Sequence, residues 1–358
     1  MSFISKRFLS STAPPIVSRL PPPKSRHHAP IPSSSFPKGF LVGGTYAGIK
    51  KNDSALDLGI LHSTVPRTTA AACLTRNAFK AAPVLVSDEI LARNGGYARS
   101  LVVNSGCANA VTGKQGLDNA WSMVKETDHL FIPKEDKSSC EALVMSTGVI
   151  GVNLDIRKVI QGIRSCAPKS QSSESQSLGA DFSSWERFAK AFMTTDTFPK
   201  LRSRVFTIRG IEYRIAGVDK GAGMIHPDMG PASTSFPSTP NPQRHATLLG
   251  CIATDALVSP RSLQSALAYA VDRSFNSISV DGDMSTNDSI YIFANGGAVP
   301  TEHKQEHLID EETDAESYQI FRGLLTDFAQ DLAKLVVRDG EGATKFVTVT
   351  VKVYLLCL

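Results

Sequence analysis

Thr247 stands where a polar stretch meets an apolar one. Before it, residues 230–244 are rich in Pro, Ser and Thr; after it the chain reads Leu248-Leu249-Gly250-Cys251-Ile252-Ala253. A hydroxyl residue at that junction is what a self-cleaving precursor needs, with Ala246–Thr247 as the scissile bond. Attack of the hydroxyl on the preceding carbonyl frees an α-amine on Thr247 itself. That amine titrates near neutrality and lies within reach of its own Oγ, so one residue carries both nucleophile and general base. No separate His is required.

Other stretches are, read alone, ordinary turns and loops, and the chemistry named for each is only what its residue types would allow. Ser146-Thr147-Gly148 ends an apolar run, Ala142 to Val149, in a turn of small residues. Acyl transfer passes through a tetrahedral oxyanion, and one preorganised donor aimed at it contributes about 3–4 kcal/mol. Lys220, in Lys220-Gly221-Ala222-Gly223-Met224, can pair with a carboxylate or depress a neighbouring amine. Alone, Thr194 and Thr195 are turn hydroxyls after a helix, and Glu341 is a hairpin carboxylate.

Composition sets the class. The chain has 358 residues, 42% hydrophobic and 20% charged, as in a globular enzyme with one large or two modest cores. The net charge of +4 is concentrated at the start, where Lys6, Arg7, Arg19, Lys24 and Arg26 precede the first acidic residue, Asp53. Without those five the remainder is −1 (33 basic against 34 acidic), which leaves no basic field for nucleic acid. The acid-free, Ser- and Pro-rich opening has the composition of a mitochondrial transit peptide, expected over residues 1–35 and disordered to about Pro37. Six cysteines show neither CxxC pairing nor metal spacing and read as free thiols. No apolar run reaches the ~18 residues a membrane span needs. The acidic stretch 281–288 is not a calcium loop, because its twelfth position would be Ile292 rather than a bidentate Glu.

The positioning elements follow from periodicity. Residues 57–61 open a β-rich segment, and residues 100–104 and 142–149 read as buried strands. Helices are expected over 116–126 (Leu117, Ala120, Trp121, Val124), 185–193 (Trp185, Phe188, Ala189, Phe192), 262–275 (Leu263, Ala266, Leu267, Ala270, Val271) and 318–337. Residues 205–218 read as a hairpin about Arg209-Gly210, 277–295 as strand, polar turn and strand, and 338–351 as a turn followed by a strand. Residues 165–177 are expected to be a solvated loop.

Several phrases then carry a resemblance: Ser100 to Ala110, Ser146-Thr147-Gly148, Thr194-Thr195-Asp196-Thr197, Lys220 to Met224, Ala246 to Ala256, Asp281 to Asp288, and Asp339-Gly340-Glu341-Gly342-Ala343-Thr344-Lys345. In this order they resemble the ornithine acetyltransferase family of arginine biosynthesis, over about 36–351, in its fungal form. The resemblance implies an α/β fold of layered mixed sheets flanked by helices, of the autoprocessed N-terminal-nucleophile kind. It implies an α-chain portion, 36–246, and a β-chain portion, 247–358, both from one precursor and assembling as a heterotetramer in the mitochondrial matrix. It implies that Thr247 takes the acetyl group of N2-acetylornithine and passes it to glutamate, with acetyl-CoA as a further donor in some members. Thr147 and Gly148 become the oxyanion hole; Thr194, Lys220, Thr247 and Glu341 become substrate contacts. No metal or organic cofactor, nucleic acid or membrane is called for.

Two alternatives stay open. One is an N-terminal-nucleophile aminopeptidase of similar architecture. The other is an inactive, truncated product: after Val351 the sequence turns into Lys352-Val353-Tyr354-Leu355-Leu356-Cys357-Leu358, where the family continues differently and further. On that reading this chain is expected to be poorly soluble and to transfer little.

Overall fold

The structure, a computed structural model, describes residues 23–52, 55–131, 140–167, 178–232 and 248–351. In chain order the elements are β1 (Phe40–Thr45), β2 (Leu58–Ser63), β3 (Thr69–Thr75), α1 (Ala82–Arg93), β4 (Ser100–Cys107), α2 (Gly113–Phe131), β5 (Ala142–Val149), α3 (Ile156–Ser165) and α4 (Phe182–Phe192). Then come β6 (Lys200–Ile208), β7 (Ile211–Lys220), β8 (Met229–Pro231), β9 (Leu249–Thr254), α5 (Pro260–Asp272), β10 (Ser289–Ala294) and α6 (Ala315–Asp339).

The strands form two mixed sheets, one ordered β1-β2-β4-β5 and one ordered β6-β7-β9-β10-β3-β8. In the smaller sheet β4 and β5 run parallel, Leu101 beside Leu143 and Val102 beside Val144. Helix α3 packs on its Leu58 face and α4 on its Gly59 face, so the sheet is covered on both sides. That double burial is why β4 and β5 read as unbroken apolar runs.

Alternation separates two cores in the larger sheet. Leu249, Cys251 and Ala253 of β9 face a core shared with the smaller sheet. Ile252 faces a second core filled from α5 and α6 by Leu263, Leu267, Phe321, Phe328 and Leu332. Helix α4 ties the sheets together, touching β1, β2 and β4 on one side and β6 and β7 on the other.

The expected helices form and bury the stripes that named them, with one adjustment. In α2 the buried line runs through Ala120, Met123, Val124 and Thr127, while Leu117 and Trp121 are only half-buried at its margin. The hairpin turns at Arg209-Gly210, where φ is 47° and 77°, as a two-residue turn between right-twisted strands requires.

Three expectations are corrected. Residues 23–37, expected to be disordered, pack against the body through short helical turns at Lys24–His27 and Ser33–Ser35. Residues 277–280 are not a strand; they follow the helical turn Phe275–Ser277, and the Val280 N–H is spent on the Ile225 carbonyl, 2.8 Å away. Residues 344–351 form no strand either. Phe346, Val347, Val349 and Val351 are exposed there, and no neighbouring strand among the described residues supplies a ladder. Alternating apolar residues alone do not make a strand without a partner.

No helix among the described residues is long and apolar enough to cross a membrane.

Candidate functional site

Ala246 and Thr247 lie outside the described residues; their neighbour does not. Leu248 is fully buried, and its backbone N–H donates to Oδ1 of Asp288, just before β10. Its carbonyl accepts from Ser289 N at 2.9 Å. Leu249 then enters the larger sheet directly opposite Lys220, the last residue of β7.

From Lys220 the site can be traced bond by bond. Its Nζ donates to Thr147 Oγ1 at 3.4 Å, which joins the end of β7 in one sheet to the end of β5 in the other. The next backbone N–H, of Gly221, donates to Asp196 Oδ1 at 2.8 Å, and Asp196 Oδ2 accepts from Thr194 N at 2.9 Å. The Ala222 carbonyl accepts from Glu341 N at 2.7 Å. Thr147, Thr194, Lys220 and Glu341 come from four separate stretches of sequence, yet one hydrogen-bonded chain connects them. Thr195, the neighbour weighed beside Thr194, is exposed.

Two glycines make this convergence sterically possible. Gly148 has φ 127°, and a Cβ there would sit 2.3 Å from the Gly106 carbonyl carbon, at the irregularity where β4 and β5 shift register. Only glycine fits so close an approach. At Gly223 a Cβ would lie 2.8 Å from Cδ of Glu341, so the bare backbone lets that carboxylate lie over the Lys220–Met224 loop.

A buried charge network underlies the loop. Lys200 Nζ donates to Asp196 Oδ1 at 2.5 Å and to Asp339 Oδ2 at 2.7 Å. Asp339, the last residue of α6, also accepts from Thr197 N at 2.9 Å and from Thr197 Oγ1 at 2.5 Å. Burial works against charge on Asp196, but the ammonium groups of Lys200 and Lys220 hold its carboxyl well below the usual range. Lys200 is driven up by Asp196 and Asp339 in spite of its burial. Lys220 goes the other way: burial pushes it down, opposed by Asp196 and reinforced by Lys200. Burial raises both Asp219 and Asp288 well above a normal carboxyl, and among the described residues neither oxygen of Asp219 meets a hydrogen-bond donor. A neutral acid is the form such surroundings favour.

Sequence reasoning singled out none of Asp196, Lys200, Asp219, Asp288 and Asp339. Asp196, Asp288 and Asp339 lie within the phrases that named the site, Asp219 directly precedes Lys220, and Lys200 follows Thr197 by three residues. The available signal was a charged residue beside a candidate hydroxyl or carboxylate at the end of an apolar element, since such a residue is buried and must be paired.

No group of three or more His, Cys, Asp or Glu suited to a metal occurs among the described residues. A cavity of about 570 Å³ lined by Leu91, Gly96, Pro231, Pro260 and Gln264 shares no residue with this site.

The model of the ArgJ family matches residues 41–354. The mitochondrial arginine biosynthesis bifunctional protein ArgJ of Coprinopsis cinerea is 66% identical over 351 residues, covering 98% of this chain and 71% of that protein. Its namesake in Laccaria bicolor is 64% identical over 353 residues, with the same two coverages. The structure of the PH0078 protein from Pyrococcus horikoshii OT3 matches 87% of this chain and 88% of its own, with a TM-score of 0.50 at 14% identity, a likeness of fold alone. With a family model spanning nearly all the described residues and relatives near two-thirds identity, this chain belongs to the ArgJ family.

Proposed function

We propose that this chain is an acetyltransferase of arginine biosynthesis, which moves the acetyl group of N2-acetylornithine to glutamate through an ester on Thr247. Cleavage at Ala246–Thr247 precedes transfer and yields the portions 36–246 and 247–358. Thr247 Oγ then attacks the acetyl carbonyl, its own α-amine taking the proton, and the tetrahedral adduct expels the ornithine amine, which takes that proton from the α-amine as the C–N bond breaks. The glutamate amine attacks the acetyl ester, and Thr247 Oγ leaves with the proton returned. Acetyl-CoA enters the same cycle as an alternative donor, its thiol being the leaving group.

One observation carries this reading. Thr147 Oγ1 already accepts from Lys220 Nζ, so its own O–H remains to be donated elsewhere. Together with the backbone N–H of Gly148 it would supply the two donors an oxyanion needs, and Lys220, which holds Thr147, pairs with Leu249 next to the anchored Leu248. Thr194 and Glu341, tied to the Lys220 loop through Asp196 and the Ala222 carbonyl, would add a hydroxyl and an anion to the Lys220 cation for an amino-acid substrate. The relatives at 66% and 64% identity are named mitochondrial, and we assign the matrix as the compartment, with two copies of each chain in the assembly.

The test combines mass and activity. The purified protein is weighed intact and then given N2-acetylornithine plus glutamate, or in parallel a small peptide amide. Two fragments meeting at 246/247 and acetylglutamate formation are expected, with Thr247→Ser still cut and Thr247→Ala neither cut nor active. Cleavage of Thr247→Ala at the same bond would sink the assignment. Hydrolysis of the peptide amide without acetyl transfer would favour an aminopeptidase.

A further inference from the structure

Residues 23–37 are composed like the leader before them but behave like part of the enzyme. Lys24 Nζ donates to the carbonyls of Asp339 at 3.2 Å and Gly340 at 2.7 Å, where the end of α6 passes into the Glu341 turn. A cation there satisfies carbonyls the helix leaves open and complements its dipole. Further along, the dependence reverses, because groups of the body donate to the arm. Arg202 donates to the His27 carbonyl at 2.9 Å, Arg214 Nε to the Ser34 carbonyl at 2.7 Å, and the Phe182 N–H to Ser33 Oγ at 3.2 Å. Ser203 Oγ also donates to the Ser35 carbonyl.

His28 pairs with Glu186 at 2.9 Å, and Phe36 stacks on Trp185 with ring centroids 5.1 Å apart and planes 7° from parallel. Trp185 is fully buried, and Phe36 is 4% exposed. The arm thus touches α4, α6, β6 and β7. Cutting at residue 35 would strip two part-buried donors, Arg202 and Ser203, of their acceptors, and an unmade bond in such surroundings costs more than a made one contributes.

We infer that the leader is removed upstream of Lys24, and that residues 24–37 persist in the mature protein as a clasp holding the α6 end beneath Glu341. This rests on the mitochondrial reading above and narrows its boundary from 35 to 23 or earlier. Composition permits it: residues 1–22 keep Lys6, Arg7 and Arg19 and contain no acidic residue, so they retain the cationic character a presequence needs.

Two measurements test it. The full chain is expressed in a fungal host, mitochondria are isolated, and the N-terminal residue of the larger fragment is read by α-amine labelling and mass. A first residue at or before Lys24 is expected, and any later one overturns the inference. Recovery of the whole chain, Met1 included, from the cytosol would instead overturn the mitochondrial reading and the cut together. Separately, chains begun at Pro23 and at Pro37 are melted side by side. The shorter is expected to melt lower by about 5 °C or more, and equal melting would show that the clasp holds nothing. A Lys24→Ala change in the longer chain should raise KM for acetylornithine more than it lowers kcat, and Lys24→Arg should restore it.

Discussion

Thr147 is placed by what it receives. With Lys220 Nζ donating to its oxygen, the Thr147 hydroxyl keeps its own proton to give, as the proposed oxyanion role requires. Thr147→Val keeps the shape and removes that proton. Transfer by the cleaved enzyme should fall about 10²–10³-fold in kcat, measured as acetylglutamate formed, with little change in KM. A comparable fall in Thr147→Ser, which keeps the hydroxyl, would argue against the assignment. Gly223 is constrained differently, by the Glu341 carboxylate lying where a Cβ would go. Gly223→Ala should displace that carboxylate and raise KM for acetylornithine by about tenfold, an effect on ground-state and transition-state binding alike. An unchanged KM would remove Glu341 from the substrate contacts.

Among the elements, the join between α2 and β5 carries a pH dependence. Asp128, near the end of α2, accepts from the Glu141 N–H through both carboxyl oxygens, at 3.3 and 3.2 Å, just before β5 begins. Burial raises its carboxyl to about 7, with the Glu141 N–H opposing. A carboxyl raised in the fold favours the protonated form, so its contribution to stability is complete below about pH 4. It is then lost as pH climbs through 7. In denaturant titrations the wild type should lose on the order of 2–4 kcal/mol through this group between pH 4 and pH 7, and Asp128→Asn should remove that loss. Parallel curves for the two proteins would show that the carboxyl titrates normally.

The same scale shows what the sequence could and could not say. Helices α4, α5 and α6 were legible because Trp185, Phe188 and Phe192, or Leu263, Leu267 and Val271, repeat with helical spacing and bury on one side. The hairpin was legible in Arg209-Gly210. Residues 344–351 misled because β propensity expresses a half-buried surface, and nothing here covers them. The opening arm misled for the opposite reason: its composition is that of a solvated tail, and its order depends on acceptors offered to Arg202, Arg214 and Ser203 far along the chain. The site phrases named Thr147, Lys220 and Glu341, but the network of Asp196, Lys200 and Asp339 beneath them exists only once two distant stretches meet.

Across the whole molecule, the strand order of the larger sheet has a further consequence. β9 and β10 follow Thr247 in sequence yet occupy the middle of the sheet, with β6 and β7 on one side and β3 and β8 on the other. If the 246/247 bond is cut as proposed, the inner pair belongs to one polypeptide and both flanks to another, so the larger sheet is shared between the two portions, while the smaller sheet stays whole in the first. Before cutting, unfolding is a unimolecular event that the chain can reverse; afterwards two dissimilar fragments must find each other first. The protein would then carry a record of its own maturation. Thr247→Ala should regain its native signal after dilution from denaturant at a rate independent of concentration, whereas the cut wild type should recover at a rate that rises with concentration and leave aggregate behind. Identical, concentration-independent recovery would mean that the two halves never parted. Concentration-dependent recovery with loss to aggregate would instead mean that each molecule folds efficiently only once, and that breaking the bond proposed to make Thr247 a catalyst is what ends the fold's repeatability.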